Sequence, residues 1–280
     1  MNTPDYKIKS ILPGEVSTQE FHAYLLAAVA PRPIAFASTI SKKGIVNLSP
    51  FSFFNVFSAN PPILIFSPAR RVRNNTTKHT LQNIEETKEV VINVVTEEIV
   101  HQASLSSTEY SEEINEFIKA GLTEVKSDII KPSRVLESKV SFECKVNDII
   151  HLGTEGGAGN LVICEVVKLH LHEEILDENG KISTERMKLV ARMGGNWYTK
   201  AFGDALFQIP KPLTTLGAGF DNLPKEILRS EVLTGNDLAQ LANVEEIPNG
   251  VYSDDVHDHA RAKQLLNNAK LKEAWQVLIK

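Results

Sequence analysis

The chain has 280 residues, 42% of them hydrophobic, and its 30 basic side chains against 35 acidic ones leave a formal net charge of -5. That length can bury a self-sufficient core, and the mild acidity provides no general attraction to nucleic acid. Residues 1–16 show no basic-then-apolar progression and the early apolar run at 23–30 is too short to cross a bilayer, so a cytoplasmic protein with no membrane partner is expected.

From about Phe21 to Thr199 short alternating segments dominate. The stretches 31–39, 44–55 and 61–68 read as three successive β segments joined by polar turns. A basic, hydroxyl-rich loop, 70–83, then runs into a helix expected over 78–87. Further helices are expected at 97–104 and 112–120, the last with Ser111 as its cap and Gly121 just past its end. Val140, Phe142, Cys144 and Val146 alternate with polar residues, as a half-buried strand requires. Another strand is expected within 161–172, and the glycine cluster 153–159 joins the two. A dinucleotide loop would open into a helix, whereas strand-like sequence follows here, so the cluster reads as a hairpin loop. Cys144 and Cys164 lie inside apolar segments and are expected to be buried thiols rather than a disulfide.

After about Phe202 the pattern changes. Pro210, Pro212 and Pro224 with Gly217 and Gly219 suggest a loop-rich strap, and 254–280 reads as one amphipathic helix carrying Leu265, Ala269, Trp275, Leu278 and Ile279. The expected division is a main domain, 1–200, and a C-terminal extension, 201–280, whose helix packs on the main domain or on a partner subunit.

Chemistry concentrates between Pro31 and Asn83. Phe51, Phe53, Phe54 and Phe57 offer aromatic area, with Ser49, Ser52 and Asn55 set among them; core packing accounts for the rings as well as a flat ligand slot does. The loop 70–83 carries Arg70, Arg71, Arg73 and Lys78 ahead of a helix start, which is either an anion site or a solvated basic loop. His257 and His259 flank Asp258 in a polar segment where such residues usually sit in solvent, and His170 and His172 share a strand face with no third ligand visible, so no metal is expected.

The ordered pieces Pro31-Arg-Pro-Ile, Ser38-Thr39, Gly44-x-x-Asn-Leu-Ser-Pro-Phe-Ser-Phe-Phe-Asn55, Pro61-Pro62, Ser67-Pro68 and Lys78-x-Thr-x-x-Asn83 resemble the flavin reductase-like domain family of the FMN-binding split-barrel superfamily. Phe117-Ile-Lys-Ala-Gly-Leu122, Glu143-Cys144 and Arg192-Met-Gly-Gly-Asn-Trp-Tyr198 extend the resemblance to about Tyr198. It implies a mainly β fold with some α: a six-stranded antiparallel Greek-key split barrel with peripheral helices, paired as a homodimer with FMN near the interface. Matching positions place Ser38, Thr39, Ser52, Phe53, Phe54 and Asn55 around the ring and ribityl chain, with Arg32 and Ser49 also among the cofactor-binding positions. Ser67, Arg71, Lys78 and Thr80 would serve the phosphate. Arg192, Gly194 and Tyr198 match a motif where a nicotinamide approaches. Two departures stand out: His79 replaces an acid common in relatives, and Arg192-Met193 stands where short reductases often carry histidine. The implied activity is electron transfer from NADH or NADPH through FMN to free flavin, a partner oxygenase or oxygen, with no protein acid or base required. The rival expectations are a flavin-holding module without turnover and a protein-docking module.

Overall fold

The alternating segments do pair, most of them into one sheet. In the computed structural model, which describes residues 6–210 and 216–280, the chain enters through α1 (Thr18–Ala28) and then forms β1 (Ala35–Ile40), β2 (Val46–Phe51), β3 (Phe54–Ala59) and β4 (Pro62–Phe66). α2 (His79–Thr87), β5 (Glu89–Val94), α3 (Val100–Leu105), α4 (Glu116–Ala120) and a small pair, β6 (Glu124–Val125) with β7 (Arg134–Val135), come next. The long hairpin of β8 (Val140–His151) and β9 (Asn160–Leu171), then α5 (Thr184–Met187) and a short hairpin of β10 (Val190–Arg192) with β11 (Tyr198–Lys200), complete this part.

The main sheet is antiparallel in the order β2-β1-β5-β8-β9-β4-β3. β2 and β3 are consecutive in sequence yet occupy opposite edges, and only Ser52 and Phe53 separate them. The sheet therefore curls until its edges approach without closing, which brings the Phe51 and Phe66 rings to 5.4 Å and makes the architecture a split barrel. The stretch 44–55, expected as one β segment, breaks at this bend, so seven strands replace the expected six.

Period-2 alternation divides two cores. Ala35, Ala37, Phe51, Phe66, Val90, Ile92, Cys144 and Cys164 fill the interior, where α2 adds Leu81 and Ile84. Phe36 and Leu48 point outward and are covered by Ile99, Ala103, Phe117 and Ala120 from α3, α4 and their flanks. Both cysteines are buried free thiols, and burial pushes the Cys144 thiol up to about 12.

Several boundaries moved. α1, capped by Ser17, was not anticipated because none of its residues is buried and its apolar side chains form no clean stripe. α4 is capped by Asn115, whose side chain accepts from the Phe117 N–H, and not by Ser111; Gly121 closes it with φ 65 as expected. α3 begins at Val100, three residues later than expected.

Residues 9–207 form one compact unit; 208–280, with 6–8, form another. The second unit is not a strap. It holds α6 (Lys225–Leu228), α7 (Gly235–Ala242), α8 (Val256–Asn267) and α9 (Leu271–Leu278) around its own core of Ile227, Leu238, Leu241, Ala262, Leu266, Trp275 and Leu278. The apolar stripe expected to seek another surface is thus buried at home. The single helix expected over 254–280 is broken at Ala269, whose φ of 57 ends α8 and starts α9 at a new angle. Pro212, counted in the expected strap, lies outside the described residues. No helix among the described residues is long and apolar enough to cross a membrane.

Candidate functional site: an anion cavity beside an aromatic bend

Lys78 is the N-cap of α2, with extended backbone and no side-chain cap, so the first-turn N–H groups keep their positive end toward the cavity in front of the helix. Asn47, Ser49, Arg71, Lys78 and Thr80 line that polar cavity together with 106–110 and Glu116. Arg71 is held by its own loop: its Nη1 donates to Thr76 Oγ1 at 3.0 Å and to the Thr77 carbonyl at 2.6 Å. The Lys78 ammonium stands 5.4 Å from the centre of the Phe51 ring. Burial holds it below its ordinary pKa, Arg71 lowers it further, and Glu109 opposes both. A buried lysine held below its ordinary pKa gains by taking up an anion.

A buried hydrogen-bonded chain fixes the cavity floor. Glu116 accepts from the Leu48 N–H and from Asn47 Nδ2, both at 3.0 Å, and Thr80 Oγ1 donates to Asn47 Oδ1 at 2.6 Å. Asn83 Nδ2 donates to Thr39 Oγ1 at 3.1 Å, tying α2 to β1. Sequence reasoning missed Asn47, Glu109 and Glu116. The Gly-x-x-Asn spacing already contained Asn47, whereas the two glutamates carry no local signal because contacts between residues 36 to 69 positions apart bring them in.

Between β2 and β3, the bend at Ser52–Phe53 exposes 39% of Phe53, whose ring meets His22 of α1 edge-on at 6.1 Å. Its carbonyl accepts the Ser67 N–H at 2.9 Å. Ser67 Oγ accepts the Asn160 N–H at 3.0 Å, so this hydroxyl joins β4 to β9. Phe54 packs on the barrel core, and Asn55 Oδ1 accepts the next N–H in the chain. Ser38 and Thr39, adjacent on β1, are both buried and point to opposite faces; they do not share one ligand-facing surface.

Arg32 is an internal staple. Its guanidinium donates to the Leu26 and Val29 carbonyls at the end of α1 and, at 2.8 Å, to the Met193 carbonyl, while its backbone pairs with Arg192. Burial, with Arg192 adding to it, lowers its pKa. On the β10–β11 hairpin, Arg192 lies 4.7 Å from the Tyr198 ring centre and donates to the Gly195 carbonyl at 2.8 Å. Gly194 backs onto α1 so closely that a Cβ there would sit 3.0 Å from that of Ala27. The structure therefore gathers Ser49, Arg71, Lys78 and Thr80 in one cavity, sets Ser52, Phe53 and Ser67 at the bend, holds Arg32 and Gly194 against α1, and pairs Arg192 with Tyr198 on the adjoining hairpin.

Asp128, Glu143 and His170 approach within 4.8 Å, supplying the third group that the sequence could not show beside His170. Their contacts are already made: Glu143 accepts three backbone N–H groups and His170 Nε2 at 2.7 Å, and Asp128 pairs with Lys168 at 2.5 Å.

Residues 27–190, more than half of the chain and wholly within the first unit, match the family described as the flavin reductase like domain, and the chain belongs to that family. An uncharacterised protein of Aquifex aeolicus is 39% identical over 195 residues, covering 70% of this chain and 97% of its own. Nitrilotriacetate monooxygenase component B from Bacillus cereus is similar in structure, with a TM-score of 0.68 at 29% identity over 73% of this chain and 100% of that one. A flavin reductase with a split-barrel domain, described as putative, from Shewanella frigidimarina gives a TM-score of 0.60 at 26% identity over 71% and 95% of the two chains.

Proposed function

We propose that this chain is an FMN-binding oxidoreductase that takes electrons from NADH or NADPH and delivers them to free flavin or to a partner oxygenase. The observation that carries the reading is the convergence of Arg71, Lys78 and the uncapped start of α2 on one polar cavity, where Lys78 stands over Phe51, two residues before the exposed Phe53. The residues fit the group: two cations and helix N–H groups for a phosphate, Ser49 and Ser52 for the polar chain, and Phe53 as an apolar wall for a flat ring. FMN suits one compact anion cavity better than FAD does. When bound, the flavin supplies the redox chemistry; the protein's own part is to hold it, shield one face and admit a nicotinamide near Arg192, Gly194 and Tyr198.

The flavin site is completed in this reading by a second copy of the chain. Among the described residues the outer side of β3 has no strand partner, and Val56 and Phe57 there are 64% and 63% exposed, an apolar edge that an isologous dimer would cover. A specific observation also favours slow turnover as a second reading: Arg192 is committed to its own hairpin through Gly195 and Tyr198, leaving less of it for a nicotinamide.

The test is chromatography of heat-released cofactor combined with steady-state NADH and NADPH oxidation, with and without added FMN. FMN release with flavin-dependent oxidation supports the leading reading. Bound FMN without oxidation favours the second, and FAD as the main cofactor overturns the site. Analytical ultracentrifugation showing a monomer at full FMN affinity would rule out the completed dimeric pocket.

A further inference from the structure

Glu109 brings a carboxylate into the cavity that carries the candidate phosphate subsite. It accepts from Arg71 Nε at 3.2 Å, pairs with Arg73 as well, and lines the same space as Ser49 and Lys78. Half of its side chain remains exposed, so it is held there by charge and not by packing.

We propose that Glu109 is an internal competitor for the flavin phosphate, a residue that occupies Arg71 when the phosphate is away and cedes it when a phosphate monoester binds. The inference rests on the phosphate reading of this cavity. Thr76 and Thr77 fix the Nη1 of Arg71 and Glu109 takes its Nε edge, so a phosphate meets a guanidinium with only its Nη2 side left to offer and its charge already shared with a carboxylate. A phosphate arriving beside Lys78 would face the carboxylate across one guanidinium, and like charges at that separation repel. Binding must therefore stretch the Arg71–Glu109 pair. FMN is held more loosely than the bare cations would hold it, which suits a cofactor that is exchanged. Riboflavin has no phosphate and makes no such contest.

The alternative role is support: Glu109 could hold Arg71 in place for the phosphate, and its removal would then weaken FMN. The two roles differ in sign. Full-length Glu109→Gln and Glu109→Ala should be titrated with FMN and with riboflavin by flavin fluorescence, at low and at high salt. Competition predicts an FMN Kd lower by about 3- to 10-fold at low salt, a gain that shrinks as salt rises, and unchanged riboflavin binding. Unchanged or weaker FMN binding in both variants, with the native chain still preferring FMN to riboflavin, overturns the proposal and leaves the phosphate reading standing. Equal binding of the two flavins by the native chain overturns both.

Discussion

Arg71 and Lys78 are the residues on which a phosphate subsite stands or falls. Each removes one charge-assisted contact when truncated, so Arg71→Ala and Lys78→Ala should weaken FMN by about 1–3 kcal/mol and riboflavin far less; isothermal titration of both ligands checks this, and equal losses would mark a structural role. Glu116 sits under the same cavity. Burial raises its carboxyl above the ordinary carboxylate range, against the lowering effect of the Leu48 and Asn47 hydrogen bonds. A raised native value means that the unfolded chain loses its proton first. Stability therefore falls as pH climbs from the unfolded value to the native one and stays lower above it. Thermal melts from about pH 4 to about pH 8 should show the native chain losing stability relative to Glu116→Gln across that window. A constant difference would remove Glu116 as a titrating group. Both candidate phosphate cations were legible in the basic run before a helix start; Glu116 was not, since an acid five residues before a glycine looks like any surface helix residue until β2 is laid beside it.

At the level of elements, the glycine cluster shows how a loop can be read correctly and its purpose missed. The absence of a following helix excluded a dinucleotide loop, and β8 and β9 do form a hairpin. What the loop does is back the basic segment: Gly157 N–H donates to the Arg70 carbonyl, Arg70 N–H donates to the Ala158 carbonyl, and a Cβ on Gly156 would lie 3.0 Å from the Val72 carbonyl oxygen. Gly156→Ala should push that segment outward, costing about 1–3 kcal/mol as overpacking against backbone and loosening FMN through Arg71. Melting temperature and FMN affinity measured together test it, and a lower melting temperature with intact affinity would uncouple the loop from the site. The bend at Ser52–Phe53 was hidden for a related reason. Alternation runs through it without a glycine or proline, and only the curl of the sheet, which must pass the chain from one edge to the other, dictates where it turns.

Across the whole molecule, residues 9–207 contain every group of the candidate site, and 208–280 enclose a separate helical core. A chain ending at Phe207 should therefore stay folded and bind FMN with unchanged affinity, as seen by flavin titration; loss of FMN from a soluble, folded truncation would place part of the site in the second unit. The second unit misled sequence reading because prolines and glycines at 210–224 suggested a loop-rich strap and the helices beyond them are short, as α7 is, whose start is set by the reciprocal Thr234–Asp237 capping box. By itself the sequence determined the β-rich class, the flavin reductase-like motif order, the buried thiols and the cationic run ahead of α2, because periodicity, terminal chemistry and local charge are encoded within a few residues of one another. Only the tertiary structure decided that Ser38 and Thr39 face apart, that Arg32 and Ser67 join elements, and that Glu109 and Glu116 reach the cavity. Those outcomes depend on which strand lies beside which, and on contacts between residues tens of positions apart that no local pattern encodes.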